Sequence, residues 1–480
     1  MSGEAPAAHT GPGRPVPSPR LSRAATVLAR AALGAYFRVV EVQGRPELPA
    51  GRPVLVVANH ANGLLDPLLV VHGLGALPRF VAKAGLWRFP VLRPVLDGLG
   101  LLPVVRRQDR ARHHASNTDT FARAQRALAD GATVAIFPEG TAHDEPHLLP
   151  LRSGAARLAL GARAEGAAGL VLLPVGLVFD DKLALRSRAL VVVGEPIGLD
   201  AWLADRGEPT VDDTDRRAVE DLTARIARGL NDVVPSADTL EEAWALARAA
   251  NVLAADTSDA VGTAGTAGTA GTVLAAEPSL ARSTAVRRAL DAAPDTARAR
   301  VRQASDAYRA ALERAGLRDH DLVSRESSGR LVLRAIGAGG RTLVLAPWAV
   351  AGAAVNAAPF AAVRLAGRFA GKPAARGTMR VAAGAVAFPL TWMAAGALVW
   401  RRRSPWAGAA VAVGAAASGY VAVLEAEQVL ALRRAWRGRT RRLGLRARAD
   451  ELLAARRRLL AVTGEALAAA SESQLSEATR

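Results

Sequence analysis

The 480-residue chain has no cysteine, only three lysines (Lys83, Lys182 and Lys372) among its 62 basic residues, and an aromatic content of 4%. Without cysteine there is no disulfide, no thiol nucleophile and no thiolate metal site, and the redox compartment stays undetermined. A Gly-x-Ser-x-Gly nucleophile elbow and a Gly-rich phosphate loop of the nucleotide-binding type are both absent. His143 and His147 have a metal-like spacing, but Pro146 opposes a continuous helix there and no HExxH context supports zinc, so no metal site is expected. His113 and His114 open a charged helix and read as solvated. Residues 1–20 are rich in Pro, Gly and Ala without an apolar run, which predicts a disordered tail rather than a signal peptide.

Ala, Gly and Arg are abundant, half of the residues are hydrophobic, and the formal net charge is +18. That charge points to an anionic partner, either nucleic acid or a membrane surface with acidic headgroups. Arg so outnumbers Lys that part of the excess reads as coding bias. The length allows two or more domains with a full-sized core.

From Leu21 to Phe37, Arg alternates with Ala and Leu at helical spacing, predicting a basic amphipathic helix that either lies on a bilayer or packs on its own domain. Strands are predicted at 38–42, 54–58, 79–82, 101–105, 133–137, 170–178 and 190–193. Helices are predicted at 64–72, 86–99, 115–130 and 153–165. The alternation predicts an α/β domain over residues 21–200 with a largely covered sheet. A charged helical region follows at 201–333, interrupted at 262–272 by a Gly-Thr-Ala repeat that reads as a flexible linker. Helices at 285–316 suggest a helical hairpin or cap.

Residues 334–425 form a predicted membrane region. Val381–Trp400 and Trp406–Leu424 are nearly uncharged, about as long as a bilayer core, and carry Trp at their ends. Leu343–Val363 is a third candidate, interrupted by Pro347, Asn356 and Pro359. Basic residues flank the firm pair on both outer sides, from Arg364 to Arg380 and from Arg433 to Arg448, the latter opening a basic helical tail at 426–480. The positive-inside rule then favours a transmembrane hairpin from Val381 to Leu424, with the Leu343 segment re-entrant or interfacial and the α/β domain on the cytoplasmic face. The basic clusters lack interleaved aromatics, so membrane lipids are expected as partners and nucleic acid is not.

Chemistry concentrates at strand ends. The apolar run Val54–Ala58 stops at a polar turn that presents His60 and then Asp66, a base and a carboxylate able to orient it; a helix cap with a satisfied polar neighbour is the alternative. Lys83 and Arg106 end short strands, where cations suit a phosphate. Glu139 follows the strand that ends in Pro138, Gly140 permits a tight turn, and Arg152 with Ser153 opens a helix whose amides suit an anion. Glu139 suits a hydroxyl or an Arg partner. Pro174 and Gly176 shape the strand 170–178, as part of an acyl or thioester pocket or as a plain strand terminus.

The order His60 to Asp66, Lys83 with Arg106, Phe137-Pro-Glu-Gly140, and Leu173-Pro-Val-Gly176 resembles the four motif blocks of the glycerolipid acyltransferase family, over roughly residues 38–199. The fold class that follows is α/β, a glycerolipid-acyltransferase-like mixed sheet covered by helices, with the helical region and membrane hairpin behind it. Five residues separate His60 from Asp66 where the family usually has four. The longer spacing, with Asp180-Asp-Lys182 and Arg186-Ser-Arg188, resembles a subgroup that includes fungal glycerol-3-phosphate and dihydroxyacetone-phosphate acyltransferases. The resemblance implies acyl transfer to a phosphorylated glycerol acceptor, with His60 as general base and Asp66 orienting it. Lys83, Arg106, Glu139, Gly140 and Arg152 would then serve the acceptor and Pro174 the acyl pocket. It implies no cofactor, only acyl-CoA or acyl carrier protein as co-substrate. A membrane-anchored lipid-binding or scaffolding protein that keeps this fold without turnover is the alternative. Oligomeric state is not read from the sequence.

Overall fold

The computed structural model describes residues 19–44, 51–90, 92–104, 117–208, 210–261, 278–323, 328–371, 375–444 and 446–478. Arg106, His113, His114, Lys372 and the Gly-Thr-Ala repeat lie outside the described residues. The chain divides into two units.

The first unit runs to Ala142 and adds Leu148–Phe179 and Ala189–Val234. Its elements are α1 (Pro19–Tyr36), β1 (Val39–Gln43), β2 (Val54–Ala58), α2 (Leu65–Leu74), β3 (Arg79–Lys83), α3 (Leu92–Gly98), β4 (Leu102–Val104), α4 (Asn117–Ala129), β5 (Thr133–Ile136), α5 (Gly154–Ala164), β6 (Val171–Phe179), β7 (Arg188–Val193), β8 (Ile197–Gly198), α6 (Leu199–Asp205) and α7 (Arg216–Asn231). From α1 to β7 the elements follow the alternation read from hydrophobic periodicity, α3 taking the later part of the stretch at 86–99, whereas β8, α6 and α7 have no separate counterpart in it.

The strands form one sheet in the order β1-β7-β6-β2-β5-β3-β4, with β8 on β6. From β6 to β4 the neighbours are parallel, whereas β7 and β8 run antiparallel to β6. A mixed sheet covered by helices is therefore what forms. The central β2 is Val-Leu-Val-Val-Ala with every residue buried, the composition of a parallel strand covered on both faces. α2 packs on β6, and α5 and α7 pack against β2. α7 also covers β6, so this unit runs past Asp200 to Val234. Parallel pairing has one consequence for chemistry. The carboxyl ends of β2, β3, β4 and β5 all open on one edge of the sheet, the edge where α/β folds gather ligand-binding side chains.

The second unit contains α8 (Leu240–Val261), α9 (Leu280–Asp291), α10 (Asp295–Ala315), α11 (Asp319–Val323), α12 (Ser328–Ala366), α13 (Ala375–Arg402), α14 (Pro405–Gly444) and α15 (Arg446–Ala478). α8, α9, α10 and α15 share a core that includes Leu246, Leu290, Val301, Tyr308 and Leu459. The basic tail is thus part of a helical bundle. Arg456 braces it, donating to Asp319 at 2.9 Å and Asp256 at 2.7 Å, and Tyr308 donates to the same Asp319 at 2.6 Å. Asp180–Arg188 belongs to this unit, where Lys182 bonds the His143 carbonyl at 2.9 Å and Arg186, at φ +63°, pairs with Glu427 at 2.8 Å.

Among the described residues three helices are long and apolar enough to cross a membrane: Gly329–Phe369, Ala375–Arg402 and Pro405–Gly444. The expected hairpin is thus only part of the arrangement. The Leu343 segment belongs to the continuous α12, which passes through Pro347 and Pro359. α13 and α14 do form a hairpin, drawn close where a Cβ on Gly396 would lie 2.7 Å from the Gly408 carbonyl oxygen.

α12 contacts the two arms in different places. Its first half faces α14, with Arg341 donating to Glu425 at 3.0 Å and Gly352 against the Ser418 carbonyl. Its second half and the short turn at Gly367–Phe369 that follows it face the start of α13, with Val363 against Gly384 and Gly367 against Arg380. In both pairs the contacting positions run in opposite directions. A helix antiparallel to both arms of an antiparallel hairpin is not collinear with both, so the three do not form three parallel spans. They meet at Asn356, whose amide accepts from the Trp392 indole at 2.9 Å and donates to the Gly352 and Ala415 carbonyls at 2.8 and 3.2 Å.

Candidate active site

His60 stands two residues beyond the buried end of β2, and the intervening residue explains how it is placed. Asn59 is buried, and its side-chain amide donates to the Leu177 carbonyl at 3.1 Å and accepts from the Leu177 amide at 2.7 Å. A side chain thus supplies the ladder rung next to β6 that a backbone peptide would otherwise make. The backbone is released to turn.

The turn is organised by Asn62, fully buried, whose Oδ1 accepts from the Leu64 and Leu65 amides at 3.0 and 3.1 Å and so serves amides at the start of α2. Asp66 lies in the first turn of α2 with 0% exposure. Its Oδ2 accepts from the Asn62 amide at 2.7 Å and lies 2.9 Å from His60 Nδ1. The five residues between the pair are accommodated by this turn, and His60 and Asp66 are in hydrogen-bond contact. A helix N-terminus favours the ionised carboxylate there. Because a carboxylate only accepts, the contact assigns the proton to Nδ1 and the lone pair to Nε2.

Glu139 holds the turn from the other side. With 2% exposure, it accepts from the His60 backbone amide through Oε1 at 2.7 Å and from the Leu149 amide through Oε2 at 2.9 Å. Its carboxylate therefore binds backbone, tying the end of β5 to the His60 turn and to the segment before α5. The imidazole also stacks on Phe137, with centroids 4.3 Å apart and planes at 15°, and Phe80 lies beyond Phe137 at 6.3 Å. The His60 imidazole is thus fixed by a carboxylate at one nitrogen, a carboxylate at its backbone, and an aromatic face.

Gly140 and Arg152 are also brought together. Gly140 has φ +71°, and a Cβ there would lie 2.6 Å from Arg152 Nε. The Arg152 amide donates to the Pro138 carbonyl at 2.9 Å, and its side chain is exposed ahead of α5. Lys83 ends β3 on the same sheet edge, exposed. Pro174 is elsewhere, buried within β6 beside Val57 and against α7, where a Cβ on Gly229 would lie 2.9 Å from its ring. Asn59, Asn62 and Phe137 have no role that their sequence context alone reveals. An Asn on each side of a strand-ending His is the signal that was there to find. Among the described residues no group of three or more His, Asp or Glu is placed to hold a metal ion.

Comparison with known proteins bears on this site. Residues 39–178 match the family model described as Acyltransferase. The chain is 37% identical over 128 residues to glycerol-3-phosphate O-acyltransferase 2 of Saccharomyces cerevisiae, covering 26% of this chain and 17% of that one. It is 28% identical over 148 residues to the chloroplastic 1-acyl-sn-glycerol-3-phosphate acyltransferase BAT2 of Brassica napus, covering 31% and 39%. The chain therefore spans well under half the length of these curated relatives. The crystal structure of the 1-acyl-sn-glycerophosphate acyltransferase PlsC from Thermotoga maritima is similar at a TM-score of 0.31 and 21% identity, covering 43% of this chain and 78% of that one. Residues 39–178, which build β1 to β5 with most of β6 and carry His60, Asp66 and Glu139, thus match the acyltransferase family model and are similar to glycerol-3-phosphate and 1-acylglycerol-3-phosphate acyltransferases.

Proposed function

We propose that the protein is an O-acyltransferase that moves a fatty acyl group from acyl-CoA or acyl carrier protein to a hydroxyl of glycerol-3-phosphate, dihydroxyacetone phosphate or lysophosphatidic acid. The 2.9 Å contact between His60 Nδ1 and Asp66 Oδ2 carries the proposal. With Nδ1 holding its proton toward Asp66, Nε2 takes the proton of the acceptor hydroxyl as its oxygen attacks the thioester carbonyl. The imidazolium that forms is stabilised by Asp66. Collapse of the tetrahedral intermediate breaks the carbon–sulfur bond, and the departing thiolate recovers the proton from Nε2 as free thiol. One ester forms for each thioester lost. The reaction needs no covalent acyl-enzyme and no cofactor.

Lys83, Arg106 and Arg152 are assigned to the acceptor phosphate, Glu139 and Gly140 to shaping the turn around it, and Pro174 to the acyl side. Arg152 against Gly140 supports this, as a cation on the strap that Glu139 ties to His60. The three apolar helices fit an enzyme whose product stays in the bilayer, with the acyltransferase domain on the cytoplasmic face.

The test is direct. Detergent-purified protein is given labelled palmitoyl-CoA and each acceptor in turn, alongside His60→Ala. The expected result is one preferred acceptor and a loss of about 10² to 10⁴ in rate for the variant, with its fold retained. Unchanged turnover in His60→Ala would remove the general-base role. No transfer to any acceptor by the native protein would favour a lipid-binding or scaffolding protein instead.

A further inference from the structure

The segment that follows β3 is apolar where a soluble surface would be polar. After Lys83 the chain makes a short helical turn over Ala84–Arg88 and then enters α3. Leu86 is 38% exposed, Phe89 58% and Val95 54%, and Arg88 and Arg93 are exposed among them. The segment is braced, since the Trp87 indole donates to Asp97 at 2.6 Å across the loop. Over residues 83–98 the cations Lys83, Arg88 and Arg93 face a single acid, Asp97. Because β3 is parallel to β5, as β2 is, this lip lies on the sheet edge that bears His60 and Glu139.

We propose that this lip is a second membrane contact, inserting Leu86, Phe89 and Val95 among lipid headgroups while Arg88 and Arg93 bind anionic phosphates. An aromatic and two aliphatic side chains interleaved with arginines match the interfacial zone of a bilayer, apolar below and anionic at its surface. The occupant is argued from the same chain. α12, α13 and α14 keep a bilayer close by, so even a weak contact is populated at high effective concentration. The consequence rests on the acyltransferase reading: an acceptor or product with its chain in the bilayer passes to and from His60 without crossing water. The contact itself does not depend on turnover.

The cysteine-free sequence makes the test clean. Phe89→Cys in the full-length protein, labelled with an environment-sensitive dye, is reconstituted into phosphatidylcholine vesicles with and without phosphatidylglycerol. Glu165→Cys, exposed at the end of α5 on the opposite sheet edge, is the control. The expected result is a blue shift at position 89 and quenching by spin-labelled lipid, both stronger with phosphatidylglycerol, and neither at position 165. Adding Arg88→Gln and Arg93→Gln should lower the inserted-to-free ratio on anionic vesicles about fivefold per charge removed. The same signal should persist in a His60→Ala background, which separates the lip from the proposed activity. An unshifted, unquenched dye at position 89 overturns the proposal. So does a blue shift without lipid quenching, which would show that another copy of the chain covers the lip.

Discussion

Three residues hold the His60 turn and the strap beside it, and each carries a separate expectation. Asp66→Asn is nearly isosteric but presents an amide where His60 needs an acceptor, so the imidazole loses its assigned tautomer. The rate should fall by about 10² to 10⁴ while circular dichroism stays unchanged. Glu139→Gln keeps one acceptor and aims an NH₂ group at a backbone amide. That leaves a buried donor unmet and should lower stability by about 1–3 kcal/mol, read from thermal melts in detergent. Gly140→Ala combines a Cβ at φ +71° with a 2.6 Å approach to Arg152 Nε. A loss of about 1–2 kcal/mol is expected from the backbone alone. Adding Arg152→Ala should relieve the steric part and leave the backbone part, so a double-mutant cycle separates the two.

At the scale of elements, local contacts decide how helices are fastened. Asp200, in the first turn of α6, accepts from Arg163 in the last turn of α5 and from the Gly169 amide. Partial burial acts to raise its pKa, but these bonds and the charges of Arg163 and Arg52 outweigh it, so the carboxyl titrates below its ordinary value. A group with a lowered folded-state pKa stabilises the fold above its unfolded pKa and loses that contribution as the pH falls through the folded one. Asp200→Asn should therefore melt below wild type at neutral pH, and the difference should vanish in acid below the carboxylate range. Among the apolar helices, Asn356 is the fastening point. Asn356→Leu removes bonds to α13 and α14 and should cost about 0.6–2 kcal/mol, with earlier melting of the membrane region.

For the whole molecule the question is how many times the chain crosses the bilayer. Arg364–Arg380 and Arg433–Arg448 flank the α13–α14 hairpin, and α12 packs antiparallel on both arms, its first half on α14 and its second half on α13. A hairpin returning to its own side satisfies the positive-inside rule at both flanks. Reporters fused before Met1 and after Arg480 should therefore be labelled from the same side of the membrane, and labelling from opposite sides would require α12 to cross fully.

The succession of strands and helices was legible because buried strands and half-buried helices write their periods directly into the chain, as Val54–Ala58 and Gly154–Ala164 show. The order of the four motif blocks was legible for the same reason: each block sits at a strand end, and strand ends are marked by polar and turn-forming residues. Sequence alone therefore determined the α/β domain, the pairing of His60 with Asp66 as a candidate, and the apolar helices. Tertiary structure decided the rest. That Glu139 holds the His60 backbone, that Asn59 replaces a ladder rung with its side chain, and that Pro174 lies under α7 depend on which strands become neighbours. The arrangement of α12 across the hairpin is of the same kind. Hydropathy records how apolar a segment is, but only packing at Gly352, Asn356 and Gly396 sets the direction in which one helix meets another.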